Sequence, residues 1–160
     1  MVYLRENSFM AEDSIAVFAI CGGLFFTDTR NFDTISTISI NKSLNLYKRE
    51  YHLNRIIWFD GNKCLFVTSL GHEGKDIIAM AERKTGKVTK LLEYSLPQIK
   101  STVAKTTKPQ INIIKEDNYA NLFLYRNYPN GFMYSVDDGK LFIFYYKNQL
   151  ATIDTYSLPK

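Results

Sequence analysis

A chain of 160 residues with 46% apolar and 14% aromatic content has the composition of one folded domain and excludes an intrinsically disordered chain. The net charge is +4, but it is uneven: Arg83 to Lys115 holds eight basic residues against Glu93 alone. Two cysteines, Cys21 and Cys64, exclude a cysteine-rich metal or disulfide scaffold.

Ile15 to Ile20 opens the series of predicted strands. It ends at Cys21, but it is too short for a secretion signal, carries Glu6, Glu12 and Asp13 upstream, and places Ile20 where a small residue would be needed. No other run approaches the roughly 20 apolar residues of a membrane span. A soluble, cytoplasmic protein without a membrane partner is expected, its cysteines buried as free thiols or joined by one long-range disulfide.

Cys21-Gly22-Gly23 reads as a tight hairpin turn into Leu24 to Thr29. Thr34 to Ile40 and Leu44 to Lys48 complete a first group of four strands. A second group opens with Ile56 to Phe59, turns at Asp60-Gly61-Asn62 and returns through Cys64 to Ser69. Gly71-His72-Glu73-Gly74 follows as a loop. Asp76 to Glu82 is read as a strand, with a two-turn helix as the alternative that its Ala, Met and Glu content and the following Arg83-Lys84 allow. Thr85-Gly86-Lys87 then turns the chain into Val88 to Tyr94.

Residues 77–88, IIAMAERKTGKV, resemble the outer hairpin of a β-propeller blade of the quinoprotein-like type. In such blades an Ala-x-Asp strand end precedes a Thr-Gly-Lys-Val turn, and Glu82 stands close to where the acidic residue is usual. The resemblance implies a fold and no chemistry. Internal repetition points the same way: Tyr94-Ser95-Leu96-Pro97 recurs as Tyr156-Ser157-Leu158-Pro159, and Asp60-Gly61 recurs as Asp138-Gly139.

The basic stretch 98–110, punctuated by Pro97 and Pro109, reads as the longest loop. Ile111 to Lys115, Leu122 to Arg126, a turn at Tyr128-Pro129-Asn130-Gly131, Phe132 to Val136 and Leu141 to Tyr146 make the last third nearly continuous strand and turn. The expectation is a single all-β domain over 1–160, with units at 14–50, 55–97 and 110–160. Its antiparallel hairpins are arranged in a sandwich or barrel, or in a small or partial β-propeller. Closed propellers use four or more blades of roughly 40 to 45 residues, so this chain supplies four at most, and the sandwich or barrel ranks first because it needs no second chain.

Chemical motifs are sparse. His52 and His72 are the only histidines, and neither lies in a nucleophile context. His72-Glu73, between glycines, is the best position for a hydrolase-like site, though a surface loop explains it as well. Asp137-Asp138-Gly139 lacks the further oxygens of a calcium loop and reads as a hairpin turn. No cofactor or metal is expected.

Basic residues interleaved with tyrosines remain. Arg83, Lys84, Lys87 and Lys90, with Tyr125, Tyr128 and Tyr145, form the candidate partner-binding set. Tyrosine suits protein interfaces, and aromatic rings beside basic groups also suit single-stranded nucleic acid. Alternatively the lysines shield a strand edge and the aromatics pack the sheet. The sequence therefore predicts a non-catalytic macromolecule-binding protein of inhibitor, immunity or adaptor type. A protein partner is expected, a homo-oligomer is possible, single-stranded nucleic-acid binding is the first alternative, and the His72-Glu73 enzyme is the second.

Overall fold

The computed structural model describes residues 9–20, 22–46, 52–70, 74–95, 99–101, 110–112, 132–147 and 150–160. They build an all-β fold of three antiparallel sheets. The first runs β1 (Phe9–Glu12), β2 (Ile15–Ile20), β3 (Gly23–Asp28), β4 (Thr34–Ser39) in sequence order. In the second, β5 (His52–Phe59), β6 (Lys63–Leu70), β7 (Lys75–Glu82), β8 (Lys87–Ser95) and β9 (Ile99–Ser101) again follow the chain. The third breaks the pattern: β10 (Gln110–Asn112) pairs with β13 (Leu150–Ser157), which neighbours β12 (Lys140–Lys147) and then β11 (Met133–Asp137).

Turn chemistry fixes the hairpins. Ile20 pairs with Gly23, which leaves a two-residue turn. Gly22 takes φ +77°, a region that favours glycine, and a Cβ there would stand 2.5 Å from the end of the Asn41 side chain, which would have to move aside. Asp138 and Gly139 both adopt positive φ between the paired Asp137 and Lys140, the geometry of a type I′ turn that matches the strand twist.

One expected strand is corrected. Ile40–Ser43 forms the short helix α1, with the Ser39 hydroxyl accepting from the Lys42 backbone N–H at 3.2 Å, and the chain turns at 44–46. The fourth strand of the first sheet is instead β1, which precedes the other three and was not foreseen. Leu44 and Leu46 still contribute apolar contact, packing on the core between the first two sheets. The proposed loop at 98–110 also contains β9 and the first residue of β10. The expected strand at 122–126 and turn at 128–131 lie outside the described residues.

Face alternation explains how the sheets stack. In β6, Cys64 and Phe66 point towards the first sheet while Leu65 and Val67 point towards the third. In β7, Ala79 and Ala81 take the first direction, Ile78 and Met80 the second. The middle sheet is thus buried on both sides, and this is why Asp76 to Glu82 lacks the polar alternation of a surface strand. Its helix-compatible composition is overridden by pairing with β6 and β8.

At one edge of the stack, β5 lies against β1 and β2 of the first sheet and β11 of the third, so the sheets converge on a common spine of edge strands. Away from that spine α1 touches β3, β4 and β8, filling the space between the first and second sheets. Each hydrophobic core joins the middle sheet to one neighbour. Cys64 is a buried free thiol whose pKa is pushed up chiefly by burial and further by nearby Asp60. Among the described residues no helix is long and apolar enough to cross a membrane.

Candidate functional site

Two places combine chemistry with a defined scaffold: a buried polar seam between the second and third sheets, and the turns that end those sheets. The seam begins with Asp76, which shares its face of β7 with Ile78 and lies opposite Tyr94 of β8 in register. Arg55 Nη2 stands 3.6 Å from Asp76 Oδ2 and donates to Ser69 Oγ at 3.3 Å. From the third sheet the Tyr134 hydroxyl donates to Asp76 Oδ2 at 2.5 Å, and its ring centroid lies 5.8 Å from the Arg55 guanidinium carbon, within cation–π range.

The second half of the seam centres on Asp154, which is fully buried. Its Oδ2 accepts from Tyr94 at 3.0 Å and Tyr145 at 3.1 Å. The Tyr94 and Tyr156 hydroxyls are 2.6 Å apart. These are the two tyrosines of the repeated Tyr-Ser-Leu-Pro segments. They meet across the interface, one projecting from each sheet, and edge-to-face contacts among Tyr94, Tyr145 and Phe132 close around them.

Burial raises the pKa of Tyr94, Tyr134 and Tyr145 above the ordinary 10.0, with neighbouring hydroxyl or carboxylate groups adding to it. The folded state keeps protons that the unfolded chain releases near pH 10, so stability is intact below that pH and falls as pH rises beyond it. Ultraviolet difference absorbance against pH, read beside circular dichroism, checks this: part of the tyrosine signal is expected to titrate together with unfolding. Complete titration around the ordinary value with the dichroism unchanged would show that these three hydroxyls are not held in the interface.

The second place is built from backbone and side-chain links between neighbouring turns. Asp60 Oδ1 accepts from the Asn62 and Lys63 backbone N–H groups at 2.9 and 2.6 Å, holding the β5–β6 turn. The Arg83 backbone N–H donates to the Asn62 carbonyl at 2.8 Å, Arg83 Nε to the Gly61 carbonyl at 3.0 Å, and the Lys84 N–H to Asn62 Oδ1 at 3.1 Å. Thr85 Oγ1 donates to Glu82 Oε2 at 2.7 Å within the β7–β8 turn. The two turns are thereby fastened side by side.

Exposed Lys84 and Lys87 project from this platform, and among the described residues neither ammonium has an ion pair. Arg83 is committed to the turn. Lys90 is 3.2 Å from Glu93, which Lys75 also approaches at 3.4 Å. The four basic residues named from the sequence therefore divide, two presented outward and two engaged within the second sheet.

At the same end of the second and third sheets lies a cleft of about 290 Å³. Trp58, Met80, Val136 and Leu158 supply its apolar walls, and exposed Asp137 and Asp138 stand at its rim. Small clefts with an apolar body and few polar groups are where recognition concentrates. Trp58 and the buried Arg55, Asp76 and Asp154 belong to no motif in the sequence, although a lone charged residue inside an apolar strand is a readable signal of a buried partner.

Tyr145 was expected on a partner-facing surface, but its ring is buried in the seam. Sheet packing claims it. Tyr125, Tyr128, His72 and Glu73 lie outside the described residues. Among those that are described, no group of three His, Cys, Asp or Glu side chains is placed to hold a metal ion. Compared with protein-family models, with curated proteins and with solved structures, the chain matches none of them.

Proposed function

We propose that this chain is a non-catalytic protein-binding module whose three sheets act as blades of a propeller-type scaffold, and whose partner docks on the turn end of the second and third sheets. The observation that carries the reading is the fastened pair of turns presenting Lys84 and Lys87 beside the Trp58 cleft. A pre-organised surface avoids the entropy of ordering a loop on binding. Two outward ammonium groups favour carboxylates on the partner, and the cleft favours one apolar side chain as an anchor.

Lys84→Glu combined with Lys87→Glu is expected to weaken association with the native partner at least tenfold, mostly through a slower on-rate with a reduced salt dependence. Trp58→Ala is expected to act mainly on the off-rate. Co-purification from the source organism, followed by surface-binding kinetics with the recovered partner, measures both. Undiminished association of the two variants would sink the reading. If single-stranded RNA or DNA binds the wild type at low salt and the lysine variant does not, the basic turns serve phosphate instead.

A further inference from the structure

Resting on the reading of the Trp58 cleft as the partner's anchor site, we infer that the side chain it receives is an arginine, its methylene stem against the apolar walls and its guanidinium on the carboxylates of Asp137 and Asp138. At about 290 Å³ the cleft lies at the bottom of the range for small-molecule pockets, roughly 300 to 1,000 Å³, as suits one side chain and not a cofactor. Its body is apolar, with Trp58 from β5, Met80 from β7, Val136 from β11 and Leu158 following β13. Its rim is not. Asp137 and Asp138 also line it, both exposed, and among the described residues neither forms an ion pair. Lys140 stands opposite Asp137 in register and Lys160 lies at the cleft, yet no ion pair joins them to either carboxylate.

A wholly apolar anchor would strip water from these two carboxylates and return no bond to them. A basic side chain avoids that loss, because its stem is apolar and its head is charged. Arginine matches the cleft better than lysine. Its planar guanidinium stacks on an indole ring, and its five N–H donors in a fixed fork serve two carboxylates at once, whereas the lysine ammonium is a compact and more strongly hydrated charge. Lys84 and Lys87, exposed at the same end of the sheets, favour acidic residues on either side of that arginine. The recognised segment is therefore an arginine flanked by carboxylates.

Local structure sets these groups in place before a partner arrives. The register of β5 against β6 shifts between Ile56 and Trp58, a bulge of the kind that re-aims a side chain next to a site. Asp138 and Gly139 hold the β11–β12 turn at φ 45° and 66°. The Leu158 N–H donates to the Gly139 carbonyl at 2.9 Å, which brings the segment after β13 against that turn and closes one wall of the cleft. Turn chemistry accounts for Asp138 only in part, since asparagine serves a type I′ turn equally well. It does not account for Asp137, which ends β11 although aspartate is depleted in strands.

Trp58 is the single tryptophan of the chain, so its fluorescence reports on this cleft alone. The test titrates the full chain with N-acetylated, C-amidated tripeptides whose outer residues are glutamates and whose central residue is arginine, its neutral isostere citrulline, or leucine. The arginine peptide is expected to bind about tenfold more tightly than either of the others. The net charge of +4 favours the more acidic leucine and citrulline peptides, so the overall field of the protein cannot produce that preference. Asp137→Asn combined with Asp138→Asn, which keeps good residues for the turn, is expected to abolish the preference without weakening the leucine peptide. Leucine or citrulline binding as tight as arginine overturns the proposal. So does the lack of a saturable response to the arginine peptide up to millimolar concentration, or a preference that survives the double variant. If arginine is not preferred while the Lys84 and Lys87 substitutions still weaken association with the native partner, the arginine anchor alone falls and the docking surface stands. A clear arginine preference with partner binding indifferent to those lysines supports the cleft assignment and removes the turn platform from the docking surface.

Discussion

Replacing Arg55 with alanine is expected to destabilise the protein by about 3 to 5 kcal/mol, because it takes the cation away from a carboxylate shut between two sheets. Arg55 and Asp76 are both nearly inaccessible to water, 7% and 1% exposed at the side chain, so water cannot stand in for the lost guanidinium at low cost. The substitution also removes the bond to Ser69 and the contact with the Tyr134 ring, which ties β5 to the third sheet. Urea titration is the direct measurement. A midpoint shift equivalent to under about 1 kcal/mol, the value typical of exposed ion pairs, would mean that the seam is open to solvent.

Aspartate at either of two adjacent positions in β6 is expected to abolish folding. Leu65→Asp directs a carboxylate into the core shared with the third sheet, and Phe66→Asp into the core shared with the first. Both wild-type residues are fully buried, and an isolated buried carboxylate costs several kcal/mol even after it takes up a proton, comparable with the whole stability of a domain. In a sheet with one solvent face, neighbouring residues would respond oppositely, one lethal and one tolerated. Expression and circular dichroism of both variants decide it: a folded, soluble Leu65→Asp protein would refute burial of the middle sheet on its third-sheet side.

Much of this architecture was legible wherever turn chemistry and apolar runs agreed. The glycines at 22 and 23, Asp60-Gly61 and Thr85-Gly86 marked hairpins that the structure contains. The signal weakened where tertiary contact outweighed local preference. Phe9–Glu12 is too short and mixed to stand out as a strand, and it is fixed by pairing with β2. Leu44 to Lys48 looked like a strand because its leucines are apolar, but in the structure Leu44 and Leu46 are apolar for packing beside α1.

The candidate site was legible in part. Lys84 and Lys87 follow from the turn that carries them, since a tight hairpin exposes its flanks. That Arg83 would be spent on Gly61 depends on two turns being neighbours in space, and no local pattern in the sequence contains that distance. Tyr145 misled for a related reason: tyrosine suits surfaces and interfaces alike, and a partner hydroxyl acceptor such as Asp154 makes the buried position affordable. The repeated Tyr-Ser-Leu-Pro segments pointed to internal repetition and not to Tyr94 and Tyr156 as a site. Sequence comparison of the copies suggested equivalent places in successive units, whereas the two rings confront each other.

The double burial of β6 and β7 has a cost outside the native state. Cys64 to Leu70 is an uncharged, proline-free run of high β-propensity, the kind of segment that stacks with its own copies when a nascent or damaged chain exposes it. A strand with a wet face can carry charges there as a safeguard, but this one has no such face. Protection falls to its flanks, where Lys63 directly precedes the run and Glu73 and Lys75 follow it, and to Asp76, whose charge stands just before the apolar sequence resumes at Ile77. The same carboxylate that fastens two sheets in the folded protein thus discourages self-association of the chain before it folds.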